Sequence, residues 1–166
     1  MLKSKKGVTI TIVVLIAITI ASFSVWQIPD NPKMTIVVTD FESHLDGIDA
    51  RHEIIIDAVD TSLSEMTNGD ITPEELIAVA EISASQINSQ IIELVESDAP
   101  EEWHESYLNY LESLRSSNSY IREVMALANV QIQGSANSET ENILQKIEKF
   151  QEESSEFAKL STQSRP

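Results

Sequence analysis

The side chains best suited to bind a metal or move a proton are three histidines, His44, His52 and His104. Glu101-x-x-His104 matches the Glu-x-x-His element that di-iron carboxylate bundles use twice, and Asp49-x-x-His52 is a weaker analogue. On a helix, a spacing of three puts carboxylate and imidazole on one face, where both can reach one ion. A full di-metal centre needs two more inward glutamates. Glu81 or Glu93, with Glu148 or Glu152, are available, but none falls on an apolar stripe. The registers also disagree, because counting along the helices sets His104 level with His44–Ile48 and leaves His52 higher. The metal set that the spacing favours is therefore a looser one, His44 and His104 with Glu101, although Glu101 also serves as the returning carboxylate of a helix cap. His52 shares an apolar stripe and reads as a core-edge histidine satisfied by hydrogen bonds. Asn118 reads as a register-setting polar residue in a core. Trp103, Tyr107 and Tyr110 cluster at one end of a helix and read as packing.

Other chemistry is excluded by composition. Cysteine is absent, which removes disulfides, thiolate nucleophiles, Cys-ligated zinc, iron–sulfur clusters and a lipid-modified N-terminal cysteine. The four glycines, at 7, 47, 69 and 134, are too scattered for a phosphate-cradling loop. No Gly-x-Ser-x-Gly elbow or Ser-x-x-Lys pair accompanies the many serines. No cofactor is expected, and the chain reads as no enzyme. With 11 basic against 27 acidic residues the formal charge is −16, the wrong sign for nucleic acid.

Charge is divided sharply along the chain. Lys3, Lys5 and Lys6 precede an uncharged run from Gly7 to Ile28, and every acid follows it. About 20 apolar residues cross a hydrocarbon core. The expectation is a signal-anchor over residues 7–28, held in the lipid bilayer, with Trp26 at its interface and residues 1–6 as a cytoplasmic tail. A cleaved signal peptide has the same charge order, but the apolar run is longer than its usual core and no Ala-x-Ala site follows. Either way the remainder is placed outside the cytoplasm, as a single-pass protein of the cell membrane.

Four helices are expected in residues 29–161. The first, about 31–67, opens at Asn31-Pro32 and carries Met34, Val37, Phe41, Leu45, Ile48, Ile55, Val59 and Met66 at gaps of three, four and seven. The β-branched run Thr35–Thr39 also suits a short strand with a helix starting at the Thr39-x-x-Glu42 capping box, but the unbroken stripe favours the longer helix. Gly47 costs about 1 kcal/mol within it, and a bend is expected there. The second, about 72–97, opens with Thr72-Pro73-x-Glu75 and carries Leu76, Ala80, Ala84, Ile87, Ile91 and Leu94. The third, about 99–133, opens at Asp98-Ala99-Pro100-Glu101 and carries Trp103, Tyr107, Leu111, Leu114, Ile121, Met125, Ala128 and Ile132. The fourth, about 138–160, carries Ile143, Ile147, Phe150, Phe157 and Leu160, and residues 162–166 are expected to fray. Short connections turn each helix back on its predecessor, so the fold class is all-α: an N-terminal transmembrane helix followed by an up-down-up-down antiparallel four-helix bundle.

That order, one span and then antiparallel helices, resembles the four-helix-bundle sensor ectodomains of prokaryotic chemoreceptors. The stretch Ala99-Pro100-Glu101-Glu102-Trp103-His104-Glu105-Ser106-Tyr107-Leu108 is also similar to Pro-Glu-x-x-His-x-x-Tyr/Leu segments of small exported helical proteins of unknown function. The first resemblance implies architecture. It implies no signalling by this chain alone, since no return span is expected before Pro166. The expected role is an accessory or scaffolding module that meets a protein partner, or itself, through bundle faces. The alternative is a bundle that binds a metal or small molecule at the His44/His104 end.

Overall fold

The computed structural model describes residues 38–134 and 137–166, and they form four α-helices. These are α1 (Phe41–Asn68), α2 (Pro73–Glu96), α3 (Glu101–Gln133) and α4 (Asn137–Gln163). All are packed into one helical layer system with no strand among the described residues. None of these helices is long and apolar enough to cross a membrane. The expected tail 1–6 and span 7–28 lie outside the described residues.

Local chemistry sets the helix ends. Asp40 is extended (φ −136°, ψ 100°) and accepts the Ser43 N–H at 3.0 Å and the Ser43 hydroxyl at 2.7 Å. This cap satisfies one of the otherwise unpaired first-turn donors. It also corrects the expected long first helix: residues 38–40 are not helical, and α1 begins at Phe41. The cap is Asp40, one residue beyond the Thr39 box. At the other end Gly69 adopts φ +81°, and its N–H and that of Asp70 return to Met66 and Glu65. That is a Schellman close, for which a residue without Cβ is favoured.

The Thr72 box forms as read, with Thr72 and Glu75 each accepting the other's backbone N–H. The box expected at Asp98 does not form. Asp98 turns into the left-handed region (φ 48°), Pro100 stands at the cap position without a side-chain bond, and α3 starts at Glu101. The expected frayed end is also corrected. Helix α4 continues to Gln163, Ser161 is buried, Asn109 donates to Ser164, and Arg165 reaches Asp46 on α1 at 2.7 Å.

Helix α3 is the hub. It packs along α4, α2 and, across a short diagonal, the parallel α1. Leu45, Ile48, Val59, Leu76, Ile87, Leu114, Ile121 and Val124 are fully enclosed around it. Toward α4 its surface is small and polar: Ser106 bonds the Ser161 carbonyl (2.8 Å) and Ser113 the Ser154 carbonyl (2.9 Å). Small side chains let the two backbones approach closely. Two expected stripe members fall outside the core, since Ile132 and Leu160 are exposed.

Gly47 lies inside α1, and a Cβ placed there meets only Arg51 Nη1, at 3.9 Å. Gly47→Ala should therefore stabilise the fold by up to about 1 kcal/mol. Gly69→Ala, forced into the left-handed region, should cost about 1–2 kcal/mol. Urea midpoints of the two variants should move in opposite directions.

Candidate functional site

Helices α1 and α4 stand apart, with no Cα pair within 8 Å, so the bundle has an open seam on this side. Two side-chain straps cross it: Gln151 to Asp60 (3.2 Å) and Arg165 to Asp46 (2.7 Å). The straps are fourteen residues apart along α1 (46 to 60), or about 21 Å of helix, and Arg165 stands just past the end of α4. Between them lies a groove of about 390 Å³. Its α1 wall is acidic: Asp49, Glu53, Asp57 and Asp60 line it, and with Asp46 beyond them they recur at three- and four-residue steps on one face. Ser154, Ser155 and Ala158 form the lower-profile α4 wall, and α3 supplies the floor through Ser117 and Tyr120.

A continuous hydrogen-bond line runs beneath the groove from α4 to α1. Tyr110 donates to Asp49 Oδ1 at 2.6 Å. Its oxygen lies 3.0 Å from His52 Nδ1, and His52 Nε2 lies 2.7 Å from Ser117 Oγ. Ser117 Oγ in turn lies 2.8 Å from Ser154 Oγ. Because the Tyr110 proton is committed to Asp49, the network assigns the ring proton to Nδ1, which donates to Tyr110. Nε2 then accepts from Ser117, and Ser117 accepts from Ser154. Every donor in the line points toward the Asp49 carboxylate. A second tyrosine, Tyr120, donates to Asp60 in the same way, higher up the groove.

Electrostatics follow from this enclosure. His52 is only 6% exposed, and burial pulls its pKa down from 6.5 to about 4, against the opposing pull of the Asp49 charge. The ring is neutral at physiological pH, consistent with one nitrogen donating and the other accepting. Burial, and then the bonded carboxylates, push both Tyr110 and Tyr120 far above the ordinary phenol range. These hydroxyls are permanent donors.

The residues expected to bind metal are not gathered. Among the described residues no three His, Asp or Glu side chains come together in a group able to hold an ion. His44 instead stacks on Tyr107, with Nδ1 2.9 Å from its hydroxyl and Nε2 3.2 Å from Glu93 Oε1. His104 and Glu101 are exposed on the first turn of α3. The register count missed by one turn, since Tyr107 rather than His104 stands level with His44. His52 does have both nitrogens satisfied, as read, and Asn118 donates to Asn88 across α2 and α3 at 2.7 Å. The acidic stripe and the Ser106-Tyr110-Ser113-Ser117-Tyr120 stripe were missed. Both carry helical spacing in the sequence, but polar residues of that period are also what a solvated face looks like.

A comparison of the chain with protein-family models finds no match, and none emerges among curated proteins or solved structures. The likeness to sensor ectodomains thus rests on helix order alone.

Below pH 6.5 the unfolded chain protonates His52 while the folded one holds it neutral down to about 4. Acid therefore favours unfolding, by about 2 kcal/mol between pH 6.5 and 5. His52→Gln, which keeps a donor and an acceptor, should flatten that slope. Urea unfolding of both proteins at pH 7 and 5 checks it; equal slopes would refute the assignment.

Proposed function

We propose that the chain is a single-pass membrane protein held by residues 7–28, whose acidic bundle lies outside the cytoplasm and acts as a non-enzymatic interaction module. Its partner docks along the α1/α4 seam with a basic segment. The open, strapped seam is the observation that carries this reading. A helix pair left apart over a polar floor presents a groove in which a partner's side chains can be received. The sign of the partner follows from the α1 wall, because clustered carboxylates steer and orient Lys and Arg.

The line Ser117–His52–Tyr110–Asp49 has the order of a nucleophile, a base and its orienting groups, so catalysis needs an explicit argument. Ser117 is 2% exposed and lies in the middle of α3. Backbone N–H groups there are committed to the helical ladder, so none is available to stabilise a developing oxyanion. A covered hydroxyl without such donors supports a structural role for the line, beneath a binding surface.

The seam is tested with the full chain in lipid nanodiscs and a fluorescent helical peptide carrying lysines every fourth residue. Glu53→Gln with Asp57→Asn should weaken binding by about tenfold, or about 1.4 kcal/mol. The control Glu81→Gln with Glu96→Gln, on exposed α2 positions, removes equal charge and should change it little. Equal losses in both would overturn the seam. For the anchor, deleting residues 1–28 should release the bundle from carbonate-washed membranes; retention would overturn that part.

A further inference from the structure

Helix α2 is patterned on two faces. Leu76, Ala80, Ser83, Ile87, Gln90 and Leu94 recur at gaps of four and three and are buried in the bundle. Two residues along, about 200° around the helix, Ala78, Ile82, Ser85, Ser89 and Ile92 repeat the same gaps on the outer face. All five are exposed, Ile82 by 63% and Ile92 by 55%. The surface continues onto the neighbouring helices. Ile54 of α1 lies beside Ser89 at a cleft of about 340 Å³ between α1 and α2. Leu108 of α3 lies beside Val95 at another, between α2 and α3. Five of the eight large apolar side chains exposed among the described residues therefore stand on this side of the bundle. No charge interrupts residues 82–92, between Glu81 and Glu93, on a chain whose formal charge is −16.

We propose that a second copy of the chain docks on this face, α2 against α2 and antiparallel. A sustained repeat of threes and fours is the pattern that packs one helix along another, so the occupant it fits is a helix. The stripe also reads the same in both directions, Ile-Ser-Ser-Ile at gaps of three, four and three about Ile87. Turning a second copy end for end sets its Ile92 on Ile82 and its Ser89 on Ser85, the self-complementarity of a two-fold contact. The central serines let the backbones approach, and the isoleucines at each end cover one another. Charge selects the copy and its direction. Two copies of a strongly acidic chain repel, and they do so least where the touching surface carries no charge. Glu75 and Glu96 lie in line with the stripe at its two ends. Side by side in parallel, each would face itself in the second copy. Antiparallel, Glu96 meets Ala78 of the second copy, and Glu75 falls level with residue 99, past the end of the second α2. Glu93, on the flank, is already held by Arg51 at 2.8 Å.

The contact is tested on the full chain in detergent micelles, where sedimentation should report a dimer. Ser85→Glu with Ser89→Glu puts carboxylates at the centre of the face. Both positions are exposed, so the double variant should keep its helical, cooperative melt while its sedimenting mass halves. Glu53→Gln with Asp57→Asn should stay dimeric, which separates this face from the seam. Direction is read by cross-linking, since the chain has no cysteine of its own. Ile82→Cys and Ile92→Cys proteins, mixed and oxidised, should form the mixed disulfide, and neither should bridge to itself. Residues 82 and 92 lie about 15 Å apart along the helix, beyond the ~7 Å between Cα atoms that a disulfide tolerates. A monomeric wild-type chain, or a dimer that survives Ser85→Glu with Ser89→Glu, would overturn the proposal. So would self-bridging of either cysteine variant, or absence of the mixed disulfide.

Discussion

Helix α3 has neighbours on three sides, so its surface must match α1, α2 and α4 at once, and each match is made with different chemistry. Toward α2 it offers Leu111 and Asn118, toward α4 small serines, and toward α1 two long tyrosines that reach across the diagonal to carboxylates. Fifteen of its 33 residues are buried, more than an amphipathic helix with a single apolar stripe needs. The serine face draws α4 in against α3. That displacement leaves α1 and α4 apart and opens the seam.

Beneath the seam, polarity is tolerated because it is fully paired. A buried imidazole, two phenols and several hydroxyls lose hydration on folding, and each net hydrogen bond returns only about 0.5–1.5 kcal/mol. The line is worth keeping only when every member finds a partner, since one gap costs more than one bond contributes. His52 satisfies the condition on both nitrogens. Neutrality of that ring is the electrostatic consequence: a charged imidazolium there would have one nitrogen too many donating toward a serine that already points at it.

Helix α1 consequently has two unlike flanks. Facing α4 it is lined with carboxylates over a satisfied floor; facing α2 it carries Arg51 and borders the unsatisfied Gln90. The contrast between the two clefts is one of accounting in hydrogen bonds. The hydrogen-bond line beneath the seam is paired throughout, whereas Gln90 Oε1 beside the α1/α2 cleft is enclosed without a partner. The aromatic group of Phe41, Trp103 and Tyr107 closes the end of the bundle where α1 begins, with His44 tied to Tyr107 and lying against Glu93.

Four helices, the Thr72 box, the stops at Gly69 and Gly134, and the apolar positions from Leu45 to Val59 were legible in the chain, because each depends on residues within a turn or two of one another. The same locality explains what the sequence determined by itself: helix number and order, the facing of the apolar stripes, and a strongly acidic exterior. Asp40 outcompeting the β-branched run before it was a matter of one side chain reaching one N–H, which periodicity does not register. Tertiary structure alone decided that His52 meets Ser117, 65 residues away, and that Tyr110 meets Asp49 rather than solvent. It also decided that Glu101 and His104 point outward. A period of 3.6 places a residue on a face but leaves the axial shift between helices open. A shift of one turn, about 5.4 Å, is enough to exchange Tyr107 for His104 opposite His44.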